Sequence, residues 1–212
     1  MTRVDRMEPG QALAKGEVAR ARPASTVIVV RGGARALEVL LVQRTHAARF
    51  MAGAWVFPGG AVDPVDGTGD PGHRAAAVRE LREEAAIGGL GPGELVLFSR
   101  WTTPEGVRVR FDTWFFLAPL PAGAVPAVDG AECIDLLWTT PADALERCAA
   151  GALSVMFPTV KHLERLTAWA SADALLAAAA ATPVVPVQPR LVVRDDETHV
   201  LLPGEPGYDD AP

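Results

Sequence analysis

Glu80, Glu83 and Glu84 stand in the run Arg79-Glu80-Leu81-Arg82-Glu83-Glu84. Residues three and four apart share one side of a helix, so this spacing predicts converging carboxylates, with Arg82 facing elsewhere. Like charges gathered in one place repel unless a cation sits among them. Carboxylate oxygens suit hard divalent ions, Mg²⁺ or Mn²⁺, and such ions act on substrate phosphates. The same run could also be a solvated stripe of alternating charges, with Arg79 paired to Glu83. Taken alone, the run favours that solvated stripe. The glycine pair Gly59-Gly60 upstream reads as a loop that delivers the chain into the acidic helix.

The stretch from Gly60 to Ile87 resembles the signature of the Nudix hydrolases, which cleave a nucleoside diphosphate linked to another group. Gly60 matches the opening glycine, and Arg79, Glu80, Leu81, Glu83, Glu84 and Ile87 match the helical half. Asp66 stands where the pattern has its first glutamate, about five residues lengthen the spacer before Arg79, and Ala86 replaces the final glycine. Alanine there predicts a helix end without positive φ, or an extra turn. The resemblance implies a Mg²⁺ or Mn²⁺ site with Glu80 and Glu84 as direct ligands. Glu83 would share a second ion or hold its waters, and a backbone carbonyl of Gly60 or Ala61 would complete the coordination. Arg79 is expected to hold the glutamates through charge-assisted hydrogen bonds. The general base is expected to be Glu83 or Glu132. Arg44 resembles a family arginine that meets substrate phosphate, and is otherwise a solvated strand end. Asp66 either contributes to the active site or makes an Asx-turn. The histidines offer no zinc spacing, and His73 is expected in solvent.

Several flanking segments resemble a subgroup related to the peroxisomal acyl-coenzyme A diphosphatases of animals. They are Arg44, Phe50-Met51, Val56-Phe57-Pro58-Gly59-Gly60, Arg110-Phe111-Asp112-Thr113 and Phe157-Pro158-Thr159. The subgroup implies cleavage of coenzyme A or its thioesters to 3′,5′-ADP and a phosphopantetheine. Thr45 to Ala54 matches the fuller coenzyme A pattern only in part. Phe50, Met51, Trp101 and Trp114 are candidates for an apolar substrate-binding surface, or for core. ADP-ribose, NADH and dinucleoside polyphosphates are the alternative substrates. A non-catalytic nucleotide-sensing module on the same fold is the reading from another class. Retention of all three glutamates favours the enzyme.

These residues must be positioned by a chain of 212 residues, 49% hydrophobic and 22% charged, enough for one substantial core. A net charge of −6 argues against nucleic acid as a partner and leaves a small nucleotide-like diphosphate open, because metal inverts the field of an acidic pocket. No apolar run reaches the length of a membrane span, and Cys133 and Cys148 lack metal spacing, so a reduced cytoplasmic protein is expected, with a homodimer admissible. Strands are predicted at Thr26–Val30, Leu37–Val42, Trp55–Phe57, Leu95–Phe98, Arg110–Leu117 and Ile134–Trp138. Helices are predicted from Asp70 through the acidic cluster, from Thr140, from Phe157 to Trp169, and over 172–181. Residues 191–202 predict a hairpin, 1–22 a flexible lead-in and 203–212 an irregular tail, leaving one domain over 23–202. The order implies an α/β protein. The resemblance makes it a Nudix-type α/β/α sandwich with a mixed central sheet and extra C-terminal helices.

Overall fold

The computed structural model describes residues 18–48, 51–194 and 197–211. Its centre is a seven-stranded mixed sheet. The β-branched run predicted at Thr26–Val30 lies inside a longer strand, β1 (Arg22–Arg31), which the hairpin at Gly32-Gly33 returns as β2 (Glu38–Arg44). The strands β3 (Trp55–Val56) and β4 (Gly59–Ala61) follow, then β5 (Val96–Thr102), β6 (Phe111–Pro119) and β7 (Cys133–Thr139). The order is β3-β2-β1-β6-β5, with β4 on β1 and β7 on β2. Among the described strands of this sheet only β1 and β6 run parallel, in register from Arg22 opposite Phe111 to Val30 opposite Pro119.

Side chains alternate across a strand, and here the alternation assigns each layer its partner. Val27 and Val29 of β1, with Leu40 and Val42 of β2, bury against Ala77, Leu81 and Ala85 of α1 (Gly69–Ala85). Ile28, Val30, Val39 and Leu41 point the other way. There they meet α2 (Pro141–Ala149), α3 (Phe157–Leu166) and α4 (Ala172–Ala181) through Ala144, Leu163, Leu166 and Leu175. This is the α/β/α sandwich with added C-terminal helices that was expected. A separate hairpin, β8 (Arg190–Arg194) with β9 (Glu197–Leu201), closes the chain's order of elements.

The differences from expectation are local. Thr68 is the N-cap residue of α1, without a side-chain cap bond, while Asp70, where the helix was expected to begin, sits in the first turn and pairs with Arg74 at 2.8 Å. Ala86 adopts φ 54°, ψ 22°, so the helix does end in the left-handed conformation that favours glycine, and the alanine bears it. Gly59–Ala61, expected as a turn, is a strand paired antiparallel to Ala24–Thr26. His73 is buried, stacked on Trp114 at 4.4 Å, with Nδ1 3.1 Å from the Ala24 carbonyl and 3.0 Å from Ser25 Oγ. It ties the start of α1 to β1. Residues 1–17 of the lead-in and Phe50 lie outside the described residues. Cys133 is buried, Cys148 half-buried, and neither forms a disulfide. Among the described residues no helix is long and apolar enough to cross a membrane.

His162 gives the fold a pH signature. Its Nδ1 lies 2.6 Å from the Pro158 carbonyl, an acceptor only, so Nδ1 carries the proton and Nε2 accepts from Ser99 Oγ. Burial foremost pushes its pKa from 6.5 down to about 4. The folded state therefore favours the neutral ring. Its stabilisation is complete above pH 6.5 and is lost as pH falls toward 4, by about 3 kcal/mol at most. Chemical denaturation at several pH values in that window should show a steeper loss for the wild type than for His162→Gln. Parallel slopes would remove His162 as the cause.

Candidate active site

Helix α1 carries the carboxylates to the sheet because its small inward stripe lets it approach β1 and β4 closely. Glu80 and Glu84, one turn apart, then face β4. The Gly59 N–H donates to Glu84 Oε2 at 2.8 Å. Gly60 lies so close to Glu80 that a Cβ on it would fall 2.4 Å from Glu80 Oε1. Glycine at 60 is thus the space that the Glu80 carboxylate occupies.

Arg79 is the organiser that was expected. It donates to both oxygens of Asp66, at 3.1 and 2.8 Å, to Glu80 Oε1 at 2.8 Å, to Glu83 Oε2 at 3.0 Å and to the Ala61 carbonyl at 3.0 Å. The Arg79 guanidinium holds Asp66 below the usual carboxylate range, and Asp66 foremost holds Arg79 charged. Asp66 reaches the site through Arg79, and its side chain also accepts from the Asp63 N–H in the turn preceding α1. That bond runs back three residues as in a capping box and is not the Asx-turn expected, and Asp66 touches the glutamates only by way of Arg79.

A cavity of about 460 Å³ opens beside these groups, lined by Glu80, Glu84, Glu132, Arg44, Gly60 and Ala61 among others. Glu83 and Asp66 are not among its lining residues. Arg44 Nη1 stands 3.7 Å from Glu84 Oε1, and Arg44 Nε is buried without a hydrogen-bond partner. Glu132 is fixed from its backbone, whose carbonyl accepts from Thr45 N at 2.9 Å and whose N–H donates to Asp129 at 2.9 Å. Burial first, with the neighbouring charges of Glu80 and Glu132 added, raises the Glu84 pKa to about 7. Burial likewise raises Glu80, against the pull of Arg79. Cys133 is pushed up to about 12, chiefly by burial, which keeps it a thiol and no nucleophile.

Among the described residues no three His, Cys, Asp or Glu side chains close into a ready cage for a metal. The residues nevertheless fit a hard divalent ion. Mg²⁺ keeps several waters and is bound through one or two carboxylates together with substrate phosphates, and Glu80 and Glu84 are such a pair. Arg44 offsets the charge of the buried Glu84 only from 3.7 Å, while Glu80 keeps one oxygen on Arg79 at 2.8 Å. The Gly60–Ala61 backbone lines the same space.

The rest of the cavity is apolar, and here sequence reading found only part of the wall. Met51 and Trp101 line it as anticipated, while Trp114 is spent on His73. Phe157 and Pro158 at the start of α3 line it too, as do Leu191 and Val200 of the terminal hairpin. Backbone hydrogen bonds between Val187 and Arg100 and between Thr102 and Val187 dock that segment on the β5 edge. Nothing in residues 191–202 signals a site. Only their placement does.

The family model described as NUDIX domain matches residues 20–160. A curated relative from Caenorhabditis elegans, nudix hydrolase 7, is 27% identical over 182 residues, covering 69% of this chain and 60% of that protein. The chain thus spans less than two thirds of that relative's length. The crystal structure of a NUDIX hydrolase from Alicyclobacillus acidocaldarius matches with a TM-score of 0.65 and 30% identity over 74% of this chain and 96% of the other. The NUDIX domain of Shewanella oneidensis NrtR, solved with ADP ribose, shares the fold at a TM-score of 0.55 and 18% identity, over 71% of this chain and 88% of that one.

Proposed function

Because the chain belongs to the NUDIX domain family, we propose that it is a divalent-metal-dependent hydrolase of the diphosphate linkage in a nucleoside diphosphate derivative. The observation that carries this is the sharing of one cavity by the half-buried Glu80, the buried Glu84 and Arg44, with its unpartnered Nε. The two glutamates and the Gly60–Ala61 backbone would hold Mg²⁺ or Mn²⁺, which would supply charge neutralisation at the diphosphate and a more acidic water. Arg44 directs Nε to a phosphate oxygen. Arg79 holds Glu80 in place. Glu132 lines the cavity whereas Glu83 is tied to Arg79, which favours Glu132 as the base that takes the proton from the attacking water. Water oxygen bonds to one phosphorus, the bridging P–O bond breaks, and the second phosphate leaves with the bridging oxygen.

The finer reading is coenzyme A or an acyl thioester, acted on in a reducing cytoplasm. It is supported by the apolar wall of Met51, Trp101, Phe157, Leu191 and Val200 beside the glutamates, suited to a pantetheine or acyl arm. ADP-ribose is the second reading, since the NrtR domain of the same fold holds it. A panel of coenzyme A, octanoyl-coenzyme A, ADP-ribose, NADH and diadenosine tetraphosphate, each with Mg²⁺, separates them. The coenzyme A compounds are expected to turn over fastest. Faster cleavage of ADP-ribose or NADH would remove the coenzyme A reading and keep the hydrolase. Nucleotide binding with no cleavage of any compound would replace the enzyme by a sensing module.

A further inference from the structure

Helix α1 buries one polar side chain besides Glu84, and the proposed chemistry does not use it. His73 places Nδ1 3.1 Å from the Ala24 carbonyl and 3.0 Å from Ser25 Oγ. A carbonyl only accepts, so Nδ1 carries the proton and donates. Burial holds the ring below its usual pKa of 6.5, which keeps this neutral form in place at neutral pH. Trp114 of β6 stacks on the ring at 4.4 Å and 10° from parallel. Arg100, paired with Asp112 at 2.8 and 2.6 Å, lies over the same Trp114 at 5.4 Å. The imidazole is thus fixed by a bond at its edge and by an aromatic ring on its face.

The bond falls on a particular stretch of β1. Ala24 and Ser25 are the residues that pair with Ala61 and Gly60 of β4. The helix is therefore pinned to the same residues that hold the glycine strand against it. Among the described residues His73 is the only side chain of α1 hydrogen-bonded to β1.

Two other bonds join α1 to β4, from Gly59 N to Glu84 Oε2 at 2.8 Å and from Arg79 Nη2 to the Ala61 carbonyl at 3.0 Å. Both involve groups that a divalent ion between the glutamates and the Gly60–Ala61 backbone would compete for. The His73 bond involves none of them and keeps its geometry whether the site is empty or filled. The gap it maintains is narrow, since a Cβ on Gly60 would fall 2.4 Å from Glu80 Oε1. His73 stands seven residues before Glu80, about 10 Å along one helix, so a shift at the pin is carried to the carboxylates.

We propose that His73 is a positioning residue of the metal site, whose Nδ1–H sets the gap between α1 and β4 where Glu80, Glu84 and the Gly60–Ala61 backbone meet a divalent ion. This rests on the metal reading above, and its test does not need turnover. Mn²⁺ titration of the substrate-free protein, followed by electron paramagnetic resonance, should show affinity about tenfold weaker in His73→Leu, a loss typical of removing a group that orients ligands. His73→Asn, whose Nδ2–H can reach the same carbonyl, should keep affinity within about twofold of the wild type. Leu175→Ala removes core packing under α4, on the opposite face of the sheet. It should lower the melting temperature and leave Mn²⁺ affinity as it was, which separates lost stability from lost position. Unchanged affinity in His73→Leu, a loss that His73→Asn shares in full, or an equal loss in Leu175→Ala overturns the proposal. Wild-type Mn²⁺ affinity that Glu84→Gln leaves unchanged would end the metal reading itself, and the proposal with it.

Discussion

Glu84→Gln is expected to fold as the wild type does and to lose Mg²⁺-dependent turnover by about two orders of magnitude or more. The amide keeps the shape and an oxygen that can accept from Gly59 N–H, so the bond that seats residue 84 survives. What disappears is a full negative ligand in a buried position. Glu80→Gln should behave alike. Glu83→Gln should cost less than about tenfold, because Glu83 is exposed, paired with Arg79 and outside the cavity lining, where a surface ion pair contributes little. Far-UV circular dichroism and steady-state rates over a Mg²⁺ titration decide the matter. Equal turnover in wild type and both buried-site variants would end the assignment of ligands.

Gly60→Ala is expected to lower kcat by about a hundredfold with little loss of stability. The added Cβ falls 2.4 Å from Glu80 Oε1, and the atom that must give way is the end of a side chain. The carboxylate moves, and displacement of a catalytic group by about an ångström is enough for a loss of that size. Gly59→Ala is the instructive contrast. Its Cβ would meet the Ser25 carbonyl at 2.3 Å and Thr26 Cα at 2.6 Å, both backbone, so the pairing of β4 with β1 must distort and the melting temperature should fall. Rates and thermal melts of the two variants separate a positioning role from a structural one. A Gly60→Ala enzyme with unchanged kcat would show that Glu80 does not need its observed place.

Much of this was legible in the chain. The β-branched run Val27–Val30 and the small stripe Ala77-Leu81-Ala85 specify burial through periodicity alone, and both lie in the core. The convergence of Glu80 and Glu84 follows from helical spacing. Other features depend on partners distant in sequence. The strand at Gly59–Ala61 has no β propensity and exists because Ala24–Thr26 supplies its hydrogen bonds. His73 reads as a solvated first-turn residue until Trp114, 41 positions on, is seen to cover it. Leu191 and Val200 look like ordinary hairpin residues, and only docking of Val187 on β5 makes them walls of the cavity. Ala86 shows the limit of residue-type rules, for the helix end imposes φ 54° on an alanine.

The most direct test of the central claim is the fate of solvent oxygen. Hydrolysis of octanoyl-coenzyme A, ADP-ribose and diadenosine tetraphosphate in H₂¹⁸O with Mg²⁺ should place one ¹⁸O in a phosphate-bearing product and leave every acyl–sulfur and glycosidic bond intact. Glu84→Gln and a chelator should each abolish the incorporation. Release of a free thiol or nucleobase with the diphosphate unbroken, or label incorporation that persists in the chelator, would contradict the account.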